Sequence, residues 1–472
     1  MPEMYKHLAF IIFFLCFIFS SWRFENTPVF ANAGPLAFST FRLGNSSNCV
    51  LIIGGIQGDE PGGFSAATLL ATHYEVETGE IWVVPNLNFP SIIRRSRGLH
   101  GDMNRKFAQL DQADPEFDTV KRIQELILDP HVKLVLNLHD GSGYYRPAFE
   151  DKLRNPNRWG QSIIIDQEIM GPDTFMSGLG KIADKVMQAV NSRLLHISHR
   201  LHVHNTRTAE GDREMEKSLS YFAVRNGKAA FGLEASKEFG VETRTFYHLS
   251  MVEEFLKEAG ISFKRNFDLT PAQIKNVLQR DIAVSFADDR IHLPLEDVRP
   301  KINLLPLPRT SDMGVIVSKP IMAVLPCAND NTRLCIHYGN RLLTWIRPDW
   351  REMDHELDSI SATVDGEEMN LLLGQILTVR RKVRFHPLAD YRFNAIGFPS
   401  SKKDESGIEL DREKFLPAYS LDRNGRLFRV EIYRKNKFAG MILIRFEDAA
   451  GDVASGAKNL PGLRGAESDL GY

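Results

Sequence analysis

Leu51-Ile52-Ile53-Gly54-Gly55-Ile56-Gln57-Gly58-Asp59-Glu60 runs from an apolar stretch into a polar turn, and Pro61 follows at once. Proline lacks an N–H and suits the first turn of a helix. The stretch therefore predicts a strand over Cys49 to Ile53, a turn, and a helix from Pro61 to Tyr74. A second apolar stretch, Val132 to Leu138, ends in His139-Asp140-Gly141. A nearly continuous apolar strand is one covered on both faces, as in an α/β sheet.

Further elements repeat the alternation. Glu80 to Pro85 and Ala229 to Leu233 are apolar and strand-like, while Asp118 to Leu128 and Gly180 to Val190 have helical periodicity. From Gly34 to about Arg265 the chain is expected to form one α/β domain. After Arg265 the texture changes. Thr270-Pro271 opens a last short helix to Leu278, and short strands then alternate with Pro, Asn, Asp and Gly turns. Asp422-Arg423-Asn424-Gly425 reads as a hairpin turn between Tyr419 and Val430. The expected plan is a mixed-sheet α/β domain over 34–265, two small β-rich domains over 266–349 and 350–448, the latter sandwich-like, and a mobile tail over 449–472.

The 472 residues are 43% apolar, enough for several cores. A formal net charge of −2, with no long Lys/Arg run, gives no basis for nucleic-acid binding. Residues 1–33 read as an export signal: Lys6, an apolar stretch from Leu8 to Ser20, and small residues at Ala31-Asn32-Ala33 before Gly34. That stretch is short for a membrane span, so the processed protein is expected to lie free of the membrane in the periplasm. Cys327 and Cys335 flank a polar turn and are candidates to bridge a hairpin in an oxidising compartment; spacing alone leaves the pairing open. Cys49 reads as a small core residue.

Gln57, Glu60 and His139 stand at two strand ends, where α/β proteins place their sites. Three ligands with room for a water is the stoichiometry of a catalytic zinc site. Each residue alone carries little weight. The surrounding residues add to it: Arg97 and the pair Asn104-Arg105 lie in a polar loop suited to a carboxylate. Glu234 follows the strand Ala229 to Leu233, a place for a general base. His196, His199, His202 and His204 are also clustered, but read as partly packed residues rather than ligands.

In this order the set resembles the carboxypeptidase A-like zinc peptidases over Gly34 to about Arg265. The resemblance implies Zn2+ held by Gln57, Glu60 and His139, although the broader family has His where this chain has Gln57. It implies substrate-carboxylate binding by Asn104 and Arg105, carbonyl polarisation by Arg97 (with Arg94 and Arg95 competing), and Glu234 as general base. Tyr221 is the nearest match to the family's substrate-capping tyrosine.

The strings GGIQGDEPGG, GDMNRKF and LNLHDGSGYY, with the β-rich half, resemble more narrowly the bacterial cell-shape-determining peptidoglycan DL-carboxypeptidases. That implies removal of meso-diaminopimelate from uncrosslinked tripeptide stems of muropeptides, leaving dipeptide. The β-rich domains then offer surfaces for the wall or for cell-wall proteins. Two other readings compete: a zinc amidase or deacylase of the desuccinylase branch, and an inactive wall-binding scaffold.

Overall fold

The computed structural model describes residues 30–31, 36–310 and 313–447. The export segment therefore falls almost wholly outside the described residues, as does the tail over 449–472.

Seven strands form the sheet of the N-terminal half: β1 (Phe41–Gly44), β2 (Cys49–Ile53), β3 (Glu80–Val84), β4 (Val132–Gly141), β5 (Ser162–Ile165), β6 (His202–Asn205) and β7 (Ala229–Ser236). Their order across the sheet is β6-β5-β7-β4-β2-β3-β1. β2 pairs in parallel with β3 and β4, and β4 in parallel with β7. The β5–β7 and β1–β3 pairs are antiparallel. The sheet is mixed, as expected.

β2 is wholly buried and β4 nearly so, which follows from their continuous apolar sequence. β4 and β7 both outrun their apolar stretches. Their pairing continues in register to Glu234 opposite His139 and Ser236 opposite Gly141, so polar residues sit at buried strand ends.

Five longer helices accompany the sheet: α1 (Pro61–His73), α2 (Phe117–Leu128), α3 (Leu179–Asn191), α4 (Val241–Glu258) and α5 (Pro271–Gln279). α1 packs on α4 and reaches β4; Gly63 permits this, since a Cβ there would lie 2.8 Å from the Leu138 carbonyl oxygen. No clear apolar period marks α4 in the sequence. Buried Thr245, His248, Ser250 and Glu253 interrupt its apolar period. α5 lies beyond Arg265, yet its Ile274 belongs to the core of this half.

The remainder is β-rich. A sheet ordered Lys301–Pro308, Arg341–Arg351, Asp330–Tyr338, Met322–Cys327 carries a Cys327–Cys335 disulfide between the edge strand Met322–Cys327 and its antiparallel neighbour Asp330–Tyr338. The expected division at residues 349 and 350 falls inside the strand Arg341–Arg351. Two further four-stranded sheets face one another around Ile360, Leu371, Phe393 and Ile442. The Asp422–Gly425 turn does not join two strands. A short 3-10 turn, Pro417–Tyr419, precedes it, and Leu427–Arg434 instead pairs with Lys437–Phe446. Phe64, Phe89 and Ile92 of the N-terminal half share one core with Ile321, Met322 and Phe438 of the β-rich half.

Candidate active site

Glu60 is the N-cap residue of α1, so the turn after β2 delivers its side chain to the sheet's end. His139 arrives on β4. Its Nδ1 lies 3.0 Å from Gln57 Oε1 and 3.0 Å from Glu60 Oε2. One ring nitrogen thus faces two oxygens, and all three residues are buried. The Gln57 oxygen faces inward for a physical reason: its Nε2 donates to Asp102 Oδ1 at 2.8 Å. Burial disfavours a charged imidazole, but the Glu60 hydrogen bond and charge offset this and hold His139 above its ordinary value.

Asp102 joins two parts of the site. Its Oδ1 also accepts the Asn104 N–H, and its Oδ2 accepts Arg97 Nε at 3.0 Å. Burial would raise its carboxyl, yet the Gln57 hydrogen bond and the Arg97 charge hold it below the usual range. Arg97 Nη1 also lies 3.5 Å from Glu60 Oε1. Lys237 Nζ stands 3.5 Å from the same oxygen and 3.0 Å from Asp59 Oδ2. Glu60 therefore directs one oxygen to His139 and the other to two cations.

Glu234 stands beside His139 on the neighbouring strand, and its Oε2 is buried with no hydrogen-bond partner. Burial pushes this carboxyl up to about 8; His139 draws it down, while Glu60 and Asp140 add to the rise. Gly141 makes the space, since a Cβ there would meet Glu234 Oε2 at 2.7 Å. Behind the site, buried Asp140 accepts from Gly62 N–H at 2.8 Å and Arg244 Nη1 at 3.1 Å, and contacts His248 Nε2 at 3.0 Å. Asp140 thereby ties the start of α1 to α4.

The structure thus brings together Gln57, Glu60, His139, Glu234 and Arg97. Arg94 and Arg95 are exposed, and neither forms an ion pair with the trio. Asn104 and Arg105 sit on the adjoining turn Met103–Arg105. Asn104 Oδ1 accepts the Leu219 N–H, while Arg105 lies near Glu214 and Met215. Tyr221 sits on the short helix Leu219–Arg225, packs against the core, and makes no hydrogen bond to the trio. The clustered histidines are engaged elsewhere: His199 contacts the Tyr247 hydroxyl and the His196 ring, and His204 stacks on Tyr145 with ring centroids 4.0 Å apart. Asp102, Lys237 and Asp140 were not anticipated from sequence. Asp102 lies within the quoted GDMNRKF string, which was the only available signal for it.

The donor chemistry fits a divalent metal. An amide oxygen, a carboxylate oxygen and an imidazole nitrogen converge, and an orphaned buried carboxylate oxygen stands alongside. Among the described residues no group of three or more His, Cys, Asp and Glu is placed to hold a metal. Only with Gln57 does the set reach three. Among the same residues no helix is long and apolar enough to cross a membrane.

Comparison with known proteins identifies the family. Residues 10–279 match the family described as the catalytic part of the carboxypeptidase controlling helical cell shape. Residues 353–447 match the C-terminal domain of metallo-carboxypeptidase. The apo cell shape determinant protein Csd4 of Helicobacter pylori superposes with a TM-score of 0.80 at 36% identity, covering 87% of this chain and 100% of that one. Its tripeptide-bound form superposes with the same TM-score, identity and coverage. The mDAP-bound form, described as a D,L-carboxypeptidase, gives 0.80 at 37% identity with the same coverage. No curated protein sequence matches the chain.

Proposed function

Since the chain belongs to the family of carboxypeptidases controlling helical cell shape, we propose that it is a zinc D,L-carboxypeptidase of peptidoglycan. It removes meso-diaminopimelate from uncrosslinked tripeptide stems and leaves dipeptide, and so affects cell shape. The observation that carries the reading is the convergence of Gln57 Oε1 and Glu60 Oε2 on His139 Nδ1, beside the orphaned Glu234 carboxylate. The tripeptide-bound and mDAP-bound forms of the Helicobacter protein support the substrate.

Gln57, Glu60 and His139 would hold the zinc. When bound, the ion supplies Lewis-acid polarisation and a water of lowered pKa. Glu234 is placed to take a proton at Oε2 and pass it to the leaving amine. A carboxyl held high by burial binds a proton more readily than an exposed one, which suits that role. Arg97, kept in place by Asp102, faces the developing oxyanion. Asn104 and Arg105 receive the terminal carboxylate, and that contact restricts cleavage to the last residue.

We place the enzyme in the periplasm, reached through the leader over residues 1–33. The Cys327–Cys335 disulfide is consistent with an oxidising compartment.

The deciding experiment incubates purified protein with zinc and muramyl tripeptide and follows free diaminopimelate by mass spectrometry. Release supports the reading. No release from protein shown by elemental analysis to hold zinc would favour a wall-binding scaffold.

A further inference from the structure

A groove of about 570 Å3 lies between the catalytic half and the disulfide-bearing sheet. One wall is the active-site loop, through Arg94 and Leu99; the other carries Leu325, Asn329, Arg333 and Trp345. Arg97, lying between Arg94 and Leu99 in the chain, reaches Glu60 of the ligand trio. The groove therefore adjoins the site through a single short loop. It is not a seam between loosely apposed domains. Phe64, Phe89 and Ile92 are buried in the shared core, and Asn86 Nδ2 donates to the Pro320 carbonyl across the interface at 3.0 Å.

The chemistry of the lining is specific in kind. Trp345 is half-buried, and its indole is steadied by the Arg333 guanidinium 4.2 Å from the ring centroid. Leu99 and Leu342, which also lines the groove, are 42% and 52% exposed, so apolar surface faces solvent here. Asn329, Arg94 and the Arg333–Asp330 ion pair supply polar groups around it. An aromatic ring with apolar neighbours and a polar rim complements a pyranose, whose C–H face is apolar and whose edge carries hydroxyl and acetamido groups.

We propose that this groove receives the N-acetylated sugar to which the stem peptide is attached. The inference rests on the carboxypeptidase reading. A stem whose last residue lies at Gln57, Glu60 and His139 has its other end joined to muramic acid, and the Arg94–Leu99 loop connects those two places. Arg94 also complements a carboxylate of the intervening stem, whereas Arg333 is already paired with Asp330 at 2.6 Å.

The test compares muramyl tripeptide with the free tripeptide as substrates for wild type, Trp345→Ala, Trp345→Phe and Leu342→Ser, each checked for folding by thermal melting. In Trp345→Ala the kcat/KM ratio of muramyl to free substrate is expected to fall roughly tenfold, through KM, and to recover in Trp345→Phe. Leu342→Ser, at an exposed position, should lower the ratio in the same direction. An unchanged ratio in all three variants overturns the inference while leaving the carboxypeptidase intact. If wild type hydrolyses neither substrate, the carboxypeptidase reading fails instead. The groove is then judged by titrating metal-free protein with muramyl dipeptide, which lacks the cleaved residue. Binding that weakens in Leu342→Ser supports the groove, and no binding by wild type overturns it.

Discussion

Asp102 accepts a hydrogen bond from the Gln57 side-chain nitrogen at 2.8 Å, and this bond decides which end of the amide faces His139. Without it the amide is free to turn its NH2 inward, which no metal accepts. Asp102→Ala is therefore expected to lower metal affinity about 10- to 100-fold, the usual effect of losing a partner that orients a ligand. Competition against a chelator of known affinity measures this. Unchanged affinity would show that Gln57 needs no such guide.

Gln57→His should keep the metal. Imidazole is the better ligand, and its second ring nitrogen can donate to the same Asp102 carboxylate. Metal content at least equal to wild type, with residual turnover, is the expected result. A protein that purifies without metal would remove Gln57 from the ligand set.

Glu234→Gln should leave the metal bound and lower kcat by about 10²- to 10⁴-fold, the range for loss of a general base. The same variant has a stability signature in metal-free protein. The Glu234 carboxyl is raised from its ordinary 4.5 to about 8. Between those values the unfolded chain has released the proton and the folded chain still holds it, so wild-type stability falls as pH rises. Glutamine does not titrate. Metal-free Glu234→Gln should consequently melt above metal-free wild type at pH 8, and the gap should close towards pH 4.5. A gap that widens on acidification would contradict the raised carboxyl.

Gly141→Ala tests the space beside the base. The new methyl would lie 2.5 Å from the Gly160 backbone nitrogen and 2.7 Å from Glu234 Oε2, so something must move. Overpacking of this kind costs about 1–3 kcal/mol. Loss of turnover with retained metal, and a melting temperature lower by several degrees, is expected. Wild-type turnover would mean that Glu234 can be displaced without consequence.

The sequence made the strand, turn and helix around Pro61 legible because local chemistry specifies them: a buried apolar strand, then a proline where a helix can accept one. It showed less of where the paired strands end. Apolar character stops at Leu138 and Leu233, but backbone pairing carries on through His139, Asp140 and Glu234. Those residues are held by neighbours rather than by their own propensity. α4 was hidden for a related reason, since its buried polar side chains are partnered across the fold, as His248 is by Asp140. Asp102 and Lys237 act on residues 45 and 177 positions away, at Gln57 and Glu60. No local pattern encodes such contacts. Spacing cannot pair Cys327 with Cys335, because only the antiparallel pairing of their two strands brings them together. The position of Asp422–Gly425 misled because turn residues do not reveal whether a strand precedes them.

Phe64 lies one helical turn beyond Glu60, and its ring is buried in the core of the β-rich half, against Gly339. The helix that Glu60 caps is thus held by two cores at once: Ala66, Ala67 and Leu70 pack with the sheet that carries His139, and Phe64 with the β-rich half. The catalytic half is not a portable cassette: cut after residue 279, it would expose Phe64, Phe89 and Ile92 together and lose the surface that fixes its ligand helix. For this enzyme the region between the two matched segments, residues 280–352, is less an accessory than part of the housing of the Gln57, Glu60 and His139 cluster.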